Sequence, residues 1–275
     1  MKIVPLLLYI VSGVAYAVHF ARRDPGVGRA ATASLFVAAL AHTFLIGMQT
    51  MEVHHIPLAS LPTAVSTFVW LLTLSYLYLE ITTEERTMGV FILPIVVGLQ
   101  TISVVSPGVE NADPVLDSPW FWVHVASLLC AYASFALAGM LGLTYMLQFK
   151  EIKKKHLGYL YSRLPSLLTL DTMNSRAMTV GWVFLTIGVT VGVIWTAQSR
   201  ALAPENPNLR MMSLDDPKIF FAVLTWVVYS FALFARNRLG WTGRRAAWLS
   251  FVGFAIILLN FLPIGYFVET SHTFQ

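Results

Sequence analysis

Long, continuous apolar runs separated by short polar links recur along the whole chain. A hydrocarbon core of about 30 Å calls for roughly 20 apolar residues in helical form. Eight runs approach that length: Ile3–Phe20, Ala30–Met48, Thr63–Leu79, Val90–Val105, Trp120–Phe149, Val180–Ala197, Ile219–Ala235 and Ala246–Phe267. The fourth is the shortest and carries Pro94. None shows the polar–apolar alternation of a lipid-facing strand. A backbone in lipid has no water to satisfy its N–H and C=O groups, which leaves helices. The pattern predicts an all-α, polytopic membrane bundle of about eight transmembrane helices.

Composition agrees. The chain is 57% hydrophobic and 12% charged, with a mean hydropathy of +0.69, whereas about a quarter of a soluble domain is charged. The positions of lysine and arginine set the expected orientation. With the N-terminus outside, 14 of the 18 fall in inner links, among them Arg22, Arg23, Lys153, Lys154, Lys155, Arg236, Arg238, Arg244 and Arg245. The outer links hold only Lys2, Arg200, Arg210 and Lys218. Both termini are therefore expected on the outer side of a bacterial cytoplasmic membrane. The net charge of +4 follows from this bias and from anionic lipid at the inner leaflet. The bilayer is the implied partner, and no nucleic acid is called for.

Ala15-Tyr16-Ala17 resembles a signal-peptide cleavage site, but a signal peptide carries its positive charge before the apolar run. Here Arg22 and Arg23 follow it, so the run reads as a retained first helix. The chain is expected to form one membrane domain, 1–275, with a four-helix part (1–119) and a second part (120–275) carrying an outer loop at 198–218. The inner link Lys150–Thr179 is the longest, and His156–Leu170 has the mixed polarity of an interfacial helix. Gly188 and Gly192 form a Gly-x-x-x-Gly pair, a device for close helix approach. Cys130 has no partner cysteine, and no Cys-x-x-Cys-His occurs, so the chain is not itself a c-type cytochrome.

Histidine carries the chemical content. Imidazole in or beside a membrane segment is a functional candidate, because its burial in lipid is costly. Five of the seven histidines are expected on or near the outer side. His124 lies one turn into the fifth run, within Trp120-Phe121-Trp122-Val123-His124, and His272 lies just beyond the eighth. Two imidazoles meeting at one membrane face are what a haem iron needs for axial ligation. His42, in the outer half of the second run, is a further candidate, or else an interhelical hydrogen-bonding residue. His54 and His55 fall in a loop, and His19 and His156 read as interfacial. Trp120 and Trp122 alone would serve equally as an interfacial belt.

The stretch from Trp120 to Gln275 resembles the cytochrome c assembly family of the CcsA and CcmC type, which handle haem. The matching pieces run in order. Trp120-Phe121-Trp122-Val123-His124-Val125 is followed by Leu164-Pro165-Ser166-Leu167, Asn174-Ser175-Arg176, and Gly181-Trp182-Val183-Phe184 leading to Gly192-Val193-Ile194-Trp195. Asp216-Pro217-Lys218, Gly240-Trp241-Thr242-Gly243-Arg244-Arg245 and Ser271-His272-Thr273-Phe274 complete them. The eight-span size is similar to the HemX-like branch. The resemblance implies a haem b site in which two outer histidines, here His124 and His272, ligate the iron beside a tryptophan-rich WWD loop. Trp120, Trp122 and Asp216 then join them as candidate haem contacts.

The loop departs from that pattern. Where relatives read Trp-x-Trp-Asp-Pro-Lys, this chain has Ser213-Leu214-Asp215-Asp216-Pro217-Lys218, and Pro204-Glu205-Asn206-Pro207 replaces an earlier Trp-Gly. The family's inner histidine is matched by Phe234. At about 25 cal/mol per Å² of apolar area, two lost indoles remove several kcal/mol of haem contact. Met211 and Met212 are flexible enough to fill some of that space.

The resemblance implies a haem chaperone or ligase component for cytochrome c maturation, working with a cytochrome c assembly partner, rather than a self-contained enzyme. No nucleophile–base constellation or phosphate loop points elsewhere. The alternative from the altered loop is a structural or regulatory subunit of a larger membrane complex. A secondary transporter would need charged sites within its spans and an inverted repeat, and neither is visible.

Overall fold

The computed structural model describes residues 3–53, 55–58, 60–106, 118–155, 158, 162–202 and 217–261. Among them every regular element is a helix. In chain order these are α1 (Ile3–Arg22), α2 (Pro25–Val53), α3 (Leu61–Thr83), α4 (Gly89–Val105), α5 (Pro119–Lys153), α6 (Leu167–Leu202), α7 (Pro217–Leu239) and α8 (Arg244–Phe261). Six of them, α1, α2, α3, α5, α6 and α7, are long and apolar enough to cross a membrane. The 17-residue α4 is shorter. The 18 residues of α8 open on Arg244 and Arg245, and the expected eighth run continues past its end into residues outside those described.

The surface chemistry is that of a protein in lipid. α1 exposes Ile3, Leu7, Val11 and Val14 while burying Tyr9, Ser12 and Tyr16. α2 exposes Phe36, Val37, Leu40 and Phe44 while burying Ala31, Ala38, Ala39 and His42. Small and polar residues share the interior with large aliphatic ones such as Leu35, Leu45 and Ile46, while rows of further large apolar side chains face outward. Lipid tails are as apolar as leucine, so in a membrane only close packing and polar pairing favour the interior.

The chain forms two compact units. The first is Met1–Asn111 with Leu147–Met173, and the second is Ala112–Met146 with Asn174–Gln275. In the first, α1 packs against α2 and α4, and α3 packs against α2 and α4. Local signals set the helix starts. The Asp24 carboxylate accepts from the Gly26 and Val27 amides at 2.6 and 3.3 Å, opening α2. Ser60 and Thr63 form a reciprocal capping box at α3. Ser166 accepts from the Thr169 amide at 3.1 Å at α6.

Two buried polar clusters tie the first unit together. Tyr9 and His42 Nδ1 are 2.9 Å apart, and His42 Nε2 lies 2.9 Å from the Ser66 hydroxyl. Gln100 continues the chain by donating to Ser66 at 3.4 Å. Three helices thus meet at one imidazole, and a fourth joins through Ser66. In the second cluster, Tyr16 donates to Glu80 Oε2 at 2.6 Å and Thr32 donates to Oε1 at 2.5 Å. The Arg86 guanidinium donates to Thr32 at 3.0 Å. The sequence pattern ended the third span at Leu79. The helix runs on to Thr83, because these partners satisfy the Glu80 carboxyl inside the fold.

The expected inner link Lys150–Thr179 is much shorter in the structure. α5 continues through Lys153, and α6 begins at Leu167. Leu170, Asp171 and Asn174 are therefore helical. Of the expected interfacial helix at 156–170, residues 156, 157 and 159–161 lie outside the described residues, 162–166 are turn and coil rather than helix, and 167–170 open α6. What is described ties this segment to the first unit: Gln148 donates to the Pro165 carbonyl at 3.0 Å. Arg163 donates to the last carbonyls of α1, those of Phe20, at 2.8 Å, and Ala21.

In the second unit, Asn174 on α6 donates to the Ala138 carbonyl on α5 at 2.7 Å and to Ser250 on α8 at 2.8 Å. Trp182 and Trp226 stack between α6 and α7, donating to Ser230 at 2.7 Å and Thr186 at 2.9 Å respectively. The turn between α7 and α8 uses Gly240 and Gly243, at φ +66° and +62°. These left-handed values cost a side-chain-bearing residue about 1–2 kcal/mol. The Trp241 amide reaches back across this turn to the Ala235 carbonyl near the end of α7, at 3.1 Å.

Candidate functional site

His124 is the one member of the sequence-derived histidine pair among the described residues. It stands on the second turn of α5, half-buried. α5 and α6 run antiparallel in one register, and bulky α5 side chains drop onto α6 positions that lack a side chain. Phe135 rests on Gly181, Leu128 on Gly188 and His124 on Gly192. Phe121 meets Trp195 at the end of the seam, with ring centroids 5.1 Å apart. Two helices approach this closely only where small residues clear the way.

At His124 the seam also does chemistry. Nδ1 lies 2.7 Å from the Gly188 carbonyl oxygen. A carbonyl can only accept, so Nδ1 carries the proton. In a neutral imidazole the lone pair available to a metal then sits on Nε2. Histidines that ligate metals commonly donate their other ring N–H to a backbone carbonyl in this way, which fixes the tautomer and ring orientation. A Cβ on Gly192 would lie 2.5 Å from His124 Cε1 and closer still to Nδ1. The imidazole fills the space that glycine leaves.

Aromatic groups enclose this end of the second unit unevenly. Trp122 is buried, at 6% exposure, with its ring 5.1 Å from that of Phe121. Trp120 is 50% exposed, since two residues along a helix turn the side chain to nearly the opposite face. Trp195, one turn beyond Gly192 on α6, is buried, and its indole N–H has no acceptor among the described residues. A buried N–H without an acceptor loses a hydrogen bond's worth of stabilisation. A ligand bearing a carboxylate would satisfy it. An imidazole of fixed tautomer, flanking rings and a buried donor awaiting an acceptor all suit haem, an apolar disc with two propionates.

The remaining sequence-derived candidates divide. His272 and Asp216 lie outside the described residues, as do residues 203–216 of the expected outer loop 198–218, whose first five residues instead belong to α6 and whose last two open α7. His42 belongs to the first unit, fully buried, with both ring nitrogens in hydrogen bonds. A metal there would have to break one of them. Phe234 on α7 is 55% exposed.

Pattern reading did not find three of the features now visible: Gly188 and Gly192 as the seat of His124, the buried Trp195 N–H, and the Glu80 cluster. The glycine pair was legible as a packing device. Its chemical part needed the register that sets it opposite His124.

Comparison with known proteins agrees with this architecture. The sequence model of the family described as Cytochrome C assembly protein matches residues 3–272, so the likeness extends through the N-terminal helices as well. The chain is 26% identical over 261 residues to a protein named Cytochrome c biogenesis protein CcsA from Guillardia theta, covering 88% of this chain and 84% of the relative. It is 23% identical over 301 residues to the protein of that name from Trieres chinensis, covering 98% and 94%. To the one from Microcystis aeruginosa it is 24% identical over 299 residues, covering 91% and 88%. Matched over nearly its whole length by the family's model, the chain belongs to the cytochrome c assembly protein family.

Proposed function

We propose that this protein handles haem b for cytochrome c maturation, holding it as cargo at the outer face of a bacterial cytoplasmic membrane through His124 and His272. The observation that carries the reading is the hydrogen bond from His124 Nδ1 to the Gly188 carbonyl at 2.7 Å, which leaves Nε2 as the ligating nitrogen. Family membership supports the cargo, and the buried Trp195 donor offers a propionate an acceptor's place. His272 supplies the second imidazole on the strength of the resemblance, with Trp120, Trp122 and Asp216 as further contacts. The protein's part is to bind, orient and shield the haem until an assembly partner receives the apocytochrome. Iron held by two imidazoles is low-spin and six-coordinate, which leaves no open position for side reactions.

A second reading follows from Ser213 and Asp215 standing where relatives have tryptophan. On this reading the scaffold serves a larger membrane complex without haem transfer. Detergent-purified protein from haem-replete cells separates the two. The haem-handling reading expects a reduced-minus-oxidised low-spin spectrum and about one haem per chain by pyridine haemochrome. It also expects loss of that spectrum in both His124→Ala and His272→Ala. Well-folded, haem-free protein that co-purifies with other membrane subunits would favour the second reading instead.

A further inference from the structure

Resting on that reading, we propose that Gly188 and Gly192 are positioning residues for the axial ligand, one supplying the acceptor for His124 and the other the space for its ring. In an α-helix the carbonyl of residue i accepts from the amide of residue i+4. The Gly188 carbonyl is thus directed along α6 toward Gly192, and a side chain at Gly192 would screen its second lone pair from α5. Without one, the His124 ring lies against bare backbone and Nδ1 reaches that oxygen at 2.7 Å.

The atoms met by an added Cβ show that the two glycines do different work. At Gly192 all three nearest atoms belong to the His124 ring. At Gly188 they belong to Leu128: Cδ2 at 2.9 Å, Cγ at 3.1 Å and the backbone nitrogen at 3.3 Å. Gly188 therefore sets how near the helices come, while Gly192 concerns the imidazole alone. The Gly192 carbonyl already accepts from the Thr196 hydroxyl at 2.8 Å. A Gly-x-x-x-Gly pair needed only for packing would not be expected to place a backbone acceptor under a histidine nitrogen.

The first arm of the test needs no haem. Full-length protein labelled with ¹⁵N-histidine, in detergent micelles, reports the His124 tautomer, with His124→Gln identifying its resonances. The expected result is a protonated Nδ1 and an unprotonated Nε2, giving way to a tautomer mixture in Gly192→Ala at unchanged helical content. A native His124 protonated on Nε2, or a tautomer unmoved by Gly192→Ala, overturns the proposal.

The second arm titrates ferric haem b into the same proteins. Gly192→Ala should lose the low-spin spectrum and regain it on addition of free imidazole, which a general packing defect would not allow. If His124→Ala loses the low-spin spectrum and Gly192→Ala keeps it, positioning fails while ligation by His124 stands. If His124→Ala keeps it, the ligation reading fails, and the tautomer measurement still decides the seat.

Discussion

Residue by residue, the histidines of this protein differ by what their nitrogens already hold. The Nδ1 of His124 is committed to a backbone carbonyl, which fixes the ring and defines Nε2 as its basic nitrogen. Both nitrogens of His42 are engaged within a buried chain of hydroxyl and amide groups. The sequence placed both in outer halves of their spans and could not separate them, since each is a lone imidazole in an apolar run. Only the neighbours brought by other helices distinguish the proposed ligand from a polar hub. His42→Ala would leave the Tyr9 and Ser66 hydroxyls buried without their partner. It should lower stability by about 1–3 kcal/mol, measured by unfolding in mixed detergent and SDS, and leave any haem spectrum unchanged. A lost low-spin spectrum in that variant would mean that His42 is a ligand after all.

Among the elements, the α5–α6 seam explains how a membrane bundle holds a side chain in place without a hydrophobic driving force. Bulky groups on α5 fit against glycines on α6, and the same rule recurs where α5 meets α8, with Gly139 against Phe254 and Gly142 against the Ala247 carbonyl. A Cβ at Gly142 would sit 2.6 Å from that backbone oxygen, and no rotamer change can relieve it. Gly142→Ala should force α5 from α8 and destabilise the protein by about 1–3 kcal/mol, read as a lower melting temperature in detergent; an unchanged melting temperature would contradict this packing. Helix positions were largely legible, because lipid imposes a minimum apolar length. Helix ends were not. α6 and α3 run past their apolar windows into polar residues whose partners are distant in sequence, as Asn174 finds Ser250 and Glu80 finds Tyr16 and Thr32. The seam was legible only as a motif, since register between helices is a property of three dimensions.

For the whole molecule, membership of the cytochrome c assembly family and lipid-exposed helices are the frame for the proposed haem cargo on one side of the membrane. The distribution of lysine and arginine predicts the Lys153-Lys154-Lys155 end of α5 inside and its His124 end outside. A single cysteine at Lys154, in a Cys130→Ala background, should react with a membrane-impermeant maleimide in inverted vesicles and stay protected in intact spheroplasts. The reverse pattern would invert the topology and move the His124 end to the cytoplasmic face. On the proposed reading, the departures at Ser213 and Asp215 bear on how tightly haem is held, while ligation rests on the two histidines. The most direct measurement of that claim is near-infrared magnetic circular dichroism of the ferric, haem-loaded protein, which identifies the axial ligand pair. A bis-histidine signature in the native protein that disappears in both His124→Ala and His272→Ala is the predicted result. A different ligand pair, or a bis-histidine signature that survives either substitution, would contradict it.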